Sequence, residues 1–143
     1  MTIAALTSNA PLAPMPDCDN ARLALFAMRR IGAHGLNDAV AAQALVHGFG
    51  RDFRRPLTLI RALMADLASA STMPIAIAPV CCGRMTPSER TLVTILARCE
   101  TQPDSAAVLL GDLLGVRRAD GVLASATAVA AAFADAGRPI GRG

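Results

Sequence analysis

Apolar residues recur every three or four positions along most of the chain, the spacing that places side chains on one face of an α-helix. Helix start signals interrupt this pattern; the clearest is Thr86–Pro87–Ser88–Glu89, a capping box in which Thr86 caps the helix and Glu89 reaches back to the cap. The pattern predicts six helices. They start near positions 19 or 20, 37, 56, 87, 104 and 120, with Asn37 and Asp104 as caps of the second and fifth.

Two stretches lack the helical pattern. Residues 69–84 contain Pro74 and Pro79, and Ile75–Ile77 has the composition of a short extended piece. Because a lone strand cannot pair with itself, we expect an extended connector rather than a sheet. Residues 1–19 are rich in proline and predict a flexible N-terminal tail. The expected fold is therefore all-α, a compact irregular bundle of about five to six helices forming one domain over residues 20–139.

The composition bears on where in the cell the protein is found, but it does not indicate a reaction. The chain has 143 residues, of which 53% are hydrophobic and 17% charged, and its formal net charge is +3. No stretch reaches the roughly 20 consecutive apolar residues that span a bilayer, and no basic residue precedes Arg22 to open a signal peptide. We therefore expect a cytoplasmic protein without a membrane partner, whose four cysteines are reduced.

Three segments carry a resemblance to known sequences: residues 28–38 (MRRIGAHGLND), 53–57 (FRRPL) and 77–86 (IAPVCCGRMT). Together they resemble an uncharacterised family of small alphaproteobacterial proteins of the sphingomonad type. The resemblance implies a bacterial cytoplasmic setting, and it implies no activity, cofactor or catalytic residue.

The adjacent cysteines Cys81 and Cys82 are the most unusual local feature. They precede a capped helix N-terminus, whose partial positive charge stabilises thiolates, so a redox-active or metal-ligating site for zinc or iron is one interpretation. His34 and Cys99 are the further ligands we consider. The simpler interpretation is that the cysteines pack as small apolar side chains, since zinc-binding cysteines are usually separated by two to four residues.

A second candidate site is an arginine patch that binds anions or nucleic acid through bidentate hydrogen bonds. It would draw on basic residues from three parts of the chain: Arg30, Arg51, Arg54, Arg55 and Arg84, with Arg29 and Arg61 beside them. The alternative is a solvated face whose arginines pair with nearby aspartates such as Asp38, Asp52 and Asp66.

Catalytic motifs are missing from the sequence, which has no phosphate-binding glycine loop, serine elbow or histidine–carboxylate metal motif. A nucleophile pair of Cys81 or Cys82 with His34 is the one enzymatic arrangement that these residues offer. The leading hypothesis is therefore a non-enzymatic helical interaction or regulatory module without a cofactor. Its apolar helix faces would bind a protein partner or a second copy of the chain.

Overall fold

The computed structural model describes residues 3–5 and 11–141, and within them the chain forms six α-helices, as predicted. The helices are α1 (Asp19–His34), α2 (Ala39–Phe49), α3 (Arg54–Ala70), α4 (Pro87–Arg98), α5 (Pro103–Leu114) and α6 (Asp120–Asp135). None of the helices in this part of the chain is long and apolar enough to cross a membrane.

Helix ends differ from the predicted ones where two capping residues compete. Asp38 caps α2 instead of Asn37, because its carboxylate accepts the backbone N–H of Ala41. Gln102 is the N-cap of α5 and Pro103 is the first residue of that helix, so Asp104 lies inside the helix instead of capping it. Proline suits that first position because its missing N–H would be unpaired there in any case.

The start of α3 also lies earlier than predicted. A short 3₁₀ turn, Gly50–Asp52, runs into Phe53, whose backbone is already helical, and α3 then begins at Arg54 instead of near Pro56. Pro56 is tolerated because it falls in the first turn, where the backbone N–H groups have no partner inside the helix.

The core lies between α3 and α6, with α1 and α4 packed against them; α2 packs mainly on α1, and α5 packs on α4. The rings of Phe49 and Phe133 meet edge to face with their centroids 4.8 Å apart, which ties the end of α2 to α6. Aliphatic side chains supply most of the remaining contacts, as expected for a chain with 3% aromatic residues.

The prediction that the connector forms no sheet is wrong. Strand β3 (Ile75–Ile77) pairs in parallel with β1 (Ile3–Ala5), and β4 (Arg84–Met85) pairs antiparallel with β2 (Ala13–Pro14). The partner strands come from the N-terminal segment, about 70 positions away along the chain, so no local sequence pattern predicts the pairing. Residues 11–19 of the predicted tail thus lie against the bundle, whereas residues 1–2 and 6–10 of that tail are outside the described residues.

Candidate functional site

A buried ion pair between Arg29 on α1 and Glu89 on α4 joins the two helices. The Arg29 side chain is 2% exposed and that of Glu89 is fully buried. The guanidinium donates to both carboxylate oxygens, from Nε at 2.8 Å and from Nη2 at 3.0 Å. Bidentate pairing of this kind offsets the cost of taking two charges out of water when the remaining polar atoms are also satisfied.

The connector between β3 and α4 supplies the hydrogen-bond partners of those remaining polar atoms. Glu89 accepts the backbone N–H groups of Ala78 and Thr86 at 3.1 and 2.8 Å. Arg29 donates from Nη1 to the carbonyl of Cys82 at 2.8 Å and from Nη2 to the carbonyl of Arg84 at 2.7 Å. The ion pair and these four backbone groups form a network, called here the Arg29–Glu89 clamp, that fixes residues 78–86 to the core.

The two adjacent cysteines lie on a turn within the clamped segment. The N–H of Cys82 donates to the carbonyl of Pro79 at 3.0 Å, which closes a four-residue β-turn. Cys81 is exposed; Cys82 is half-buried, and its Sγ donates to the carbonyl of Arg84 at 3.3 Å. The clamp therefore presents both thiols at the protein surface on a segment whose main chain is fixed from within.

The other proposed ligands do not form a recognisable metal site with this turn. His34 is exposed at the end of α1, and Cys99 is buried directly after α4, where its Sγ donates to the carbonyl of Ile95 at 2.9 Å. Burial raises the pKa of the Cys99 thiol. Across residues 3–5 and 11–141, no three histidine, cysteine or acidic side chains come together in a way that could hold a metal ion.

Cys18, which the sequence pattern places in the tail, is the N-cap of α1. Burial raises the pKa of its thiol, but the nearby backbone N–H groups of Ala21, Gly141 and Asn20 outweigh that effect, so the pKa is lowered overall. The signal in the sequence is its position directly before Asp19, the first residue of a helix.

The arginines of the predicted patch do not form one surface, because they lie in different parts of the structure. Arg29 is buried in the clamp, Arg30 makes a bidentate ion pair with Asp38 at 2.8 and 3.0 Å, and Arg84 donates to the carbonyl of Leu12. The Arg30 guanidinium lowers the pKa of the Asp38 carboxyl to about 2. Three of the arginines considered for anion binding are therefore not available as one surface.

Three of the four remaining members of the patch do meet, whereas Arg61 on α3 does not line their pocket. Arg51, Arg54 and Arg55 line one pocket of about 380 Å³ between the start of α3 and the end of α6. Asp52 and Asp135 line the same pocket, and Arg55 pairs with Asp135 at 2.8 Å. Two carboxylates thus share the space with three guanidinium groups.

A different surface, the outer face of α2, has no charged group. Its 11 residues include neither an acid nor an arginine, and they carry His47 as the single titratable side chain. Val40 and Val46 expose 41% and 42% of their surfaces there, and Leu36, in the turn before the helix, exposes 42%. Small or uncharged neighbours on the same face are Ala39 and Gln43.

The sequence identifies the capping box around Glu89, but it does not reveal the ion-pair partner of Glu89. Arg29 resembles the surface arginines in the sequence, although it follows Leu25 by one helical turn and stands beside Met28, both fully buried. That position on the apolar side of α1 is the available signal. An arginine on an apolar face requires a carboxylate, and Glu89 is one of few candidates in this chain.

The comparison with protein families agrees with the resemblance to an uncharacterised family. The model of a family of unknown function, DUF6628, matches residues 4–109, a span that includes α1 to α4, the clamp and the cysteine turn. No curated protein and no solved structure matches the chain. Because that match covers well over half of its length, the chain belongs to the DUF6628 family.

Proposed function

We propose that this protein is a non-enzymatic interaction module that pairs with a second copy of itself through the outer face of α2. The observation that carries the proposal is that α2 has two half-exposed valines and no formal charge, with the half-exposed Leu36 just before it. Apolar side chains that stay exposed in a monomer are often part of a protein interface.

The uncharged face of α2 is a place where the charge of the chain does not oppose a second copy as the occupant. At a net charge of +3, surfaces rich in arginine repel one another when two copies approach. The α2 face carries no such charge, so two copies can meet there around a two-fold axis, the commonest symmetry of homodimers. In an antiparallel pair the opposed helix dipoles add a favourable contribution.

The size of the face limits the affinity. A helix of 11 residues is about 16 Å long, which offers less than the roughly 800 Å² per partner found in stable complexes. We therefore expect a reversible dimer that dissociates in the micromolar range. The proposed setting is the reducing cytoplasm of an alphaproteobacterium.

Sedimentation equilibrium of the wild type and two matched variants tests this proposal. Val46→Arg places a charge on the α2 face and is expected to give monomer, whereas Val108→Arg alters a valine that is 65% exposed on α5 and is expected to leave the dimer intact. A wild-type protein that stays monomeric at high micromolar concentration contradicts the proposal. Equal loss of the dimer in both variants contradicts it as well.

Anion binding at Arg51, Arg54 and Arg55 is a second proposal, favoured by their convergence on one pocket. Because Asp52 and Asp135 compete for the same guanidinium groups, we expect weak binding of polyanions that falls steeply with salt. Asp135→Asn should strengthen this binding, measured by fluorescence anisotropy with a labelled oligonucleotide. Unchanged or absent binding in that variant at low salt contradicts the second proposal.

A further inference from the structure

The cysteine turn differs from the other thiol positions in access and in neighbours. Of the four cysteines, Cys81 alone is exposed; Cys18 and Cys82 are half-buried, and Cys99 is buried. Cys81 also has a second thiol on the next residue. At a β-turn the chain reverses, so the strict alternation that separates neighbouring side chains along a strand does not apply.

We propose that the Cys81–Cys82 turn is a site of reversible oxidation by hydroperoxides. The Cys81 thiolate attacks the peroxide, takes one oxygen as a sulfenic acid, and releases the alcohol, or water from hydrogen peroxide, after protonation. The Cys82 thiol then attacks the Cys81 sulfur, forms a disulfide and releases water. The two thiols together lose two electrons and two protons, which reduce the peroxide.

The backbone makes this disulfide a strained one. Adjacent Cα atoms are about 3.8 Å apart across a trans peptide, closer than the roughly 4.4–6.8 Å of ordinary disulfides. Closing the ring therefore requires the peptide between Cys81 and Cys82 to rotate or bend. Strained disulfides are reduced more easily than relaxed ones, so thiols in the cell would restore the reduced turn.

The clamp couples this local change to the core. The ring contains the carbonyl carbon of Cys81 and the N–H and Cα of Cys82. The Cys82 carbonyl is attached to that Cα, outside the ring, and accepts from Arg29 Nη1 at 2.8 Å, so we expect rotation of the ring peptide to displace it from Arg29 and break this hydrogen bond. When that bond is lost, a buried cation loses one of its acceptors, and the segment that it fixes is held by fewer contacts. Oxidation of the thiols at the surface therefore weakens the clamp that joins α1 to α4.

Intact-mass measurement after treatment with hydrogen peroxide tests the chemistry. The wild type is expected to lose the mass of two hydrogen atoms, to map that change to the peptide that contains Cys81 and Cys82, and to recover on reduction. Cys82→Ser should instead hold Cys81 as a sulfenic acid that dimedone traps. Cys18→Ser, the matched control, should behave as the wild type, since serine is favoured at the N-cap position that Cys18 occupies.

Hydrogen exchange provides the second measurement. The amide protons of Ala78 and Cys82 donate to Glu89 and to the carbonyl of Pro79. We expect them to exchange roughly tenfold faster in the oxidised wild type than in the reduced protein, because a hydrogen bond of the clamp to the charged Arg29 is lost. The proposal is overturned if peroxide produces only higher sulfur oxides or disulfides between chains. It is also overturned if Cys81→Ser still loses two hydrogens, or if the ring forms without any change in exchange.

Discussion

Proteins usually expose charged side chains and bury aliphatic ones, but the Arg29–Glu89 clamp buries two charges and the outer face of α2 exposes aliphatic side chains. The clamp buries an arginine and a glutamate with 2% and 0% exposure, while Val40 and Val46 on α2, together with Leu36 just before it, are exposed to solvent. Both are anchored on α1, which contacts α2 and α4. The same helix thus supports a buried polar cluster and an open apolar surface.

The comparison shows that saturation of hydrogen bonds decides which unusual placement is stable. In the clamp, the guanidinium and the carboxylate pair with each other and with four backbone groups, so neither charge is stranded. The aliphatic side chains on α2 have no comparable partner within the described residues, and burying them would be favourable. The clamp therefore contributes to folding, whereas the α2 face is better suited to recognition.

Removing one half of the clamp should have the largest effect. Glu89→Leu leaves Arg29 charged and buried without its carboxylate, and we expect the free energy of unfolding to fall by about 3–5 kcal/mol. Urea denaturation followed by circular dichroism measures this change.

The double variant separates the stranded charge from the lost contacts. Adding Arg29→Met to Glu89→Leu removes the buried cation, so the double variant should be less destabilised than the sum of the two single variants. Strictly additive effects would show that the two side chains do not depend on each other and would contradict the clamp.

Neighbouring residues on α2 provide the next contrast, because Leu45 is fully buried and Val46 is 42% exposed. Leu45→Ala should cost about 2–5 kcal/mol of stability through lost burial and a cavity. Val46→Ala should change stability by less than about 0.5 kcal/mol while weakening self-association. If both variants were equally destabilised in urea, the outer face would not be the free surface described here.

The helices were predictable because each carries local information. The periodic apolar positions identified all six, and the box of Thr86 and Glu89 located the start of α4 correctly. The pairing of Ile75–Ile77 with Ile3–Ala5 was not predictable, since strand pairing between distant segments leaves no periodic signal in either one.

The candidate sites were predictable to a smaller extent. The sequence singled out Cys81 and Cys82, but the fixed turn that presents them depends on Arg29, which joins the segment from 53 positions away. Arg30, Arg51 and Arg84 looked equivalent in the sequence, because nothing local distinguishes an arginine paired with Asp38 from one that lines a pocket.

The capping threonine should have an intermediate effect. The Thr86 hydroxyl accepts the N–H of Glu89 at 3.0 Å and donates to the carbonyl of Ala76 at 2.7 Å, so it aligns the glutamate of the clamp. Thr86→Ala should lower stability by about 1–2 kcal/mol, and Thr86→Ser, which keeps the hydroxyl, should recover most of the loss. Urea midpoints of the three proteins test this, and equal loss in both variants would argue against the hydroxyl's role.

The ion pair at the start of α2 should give the smallest effect and one that depends on pH. Arg30 lowers the pKa of Asp38 from 3.8 to about 2, so the folded protein holds this carboxyl ionised more strongly than the unfolded chain does. The resulting stabilisation is complete above about pH 4 and is lost as the pH falls through about 2. Asp38→Asn keeps an N-cap but removes the charge, so its stability deficit should be constant near neutrality and shrink across that acid window. Urea midpoints of the wild type and the variant over this range measure the difference. A deficit that does not shrink would show that the ion pair with Arg30 does not stabilise the fold and that Asp38 acts only as the N-cap of α2.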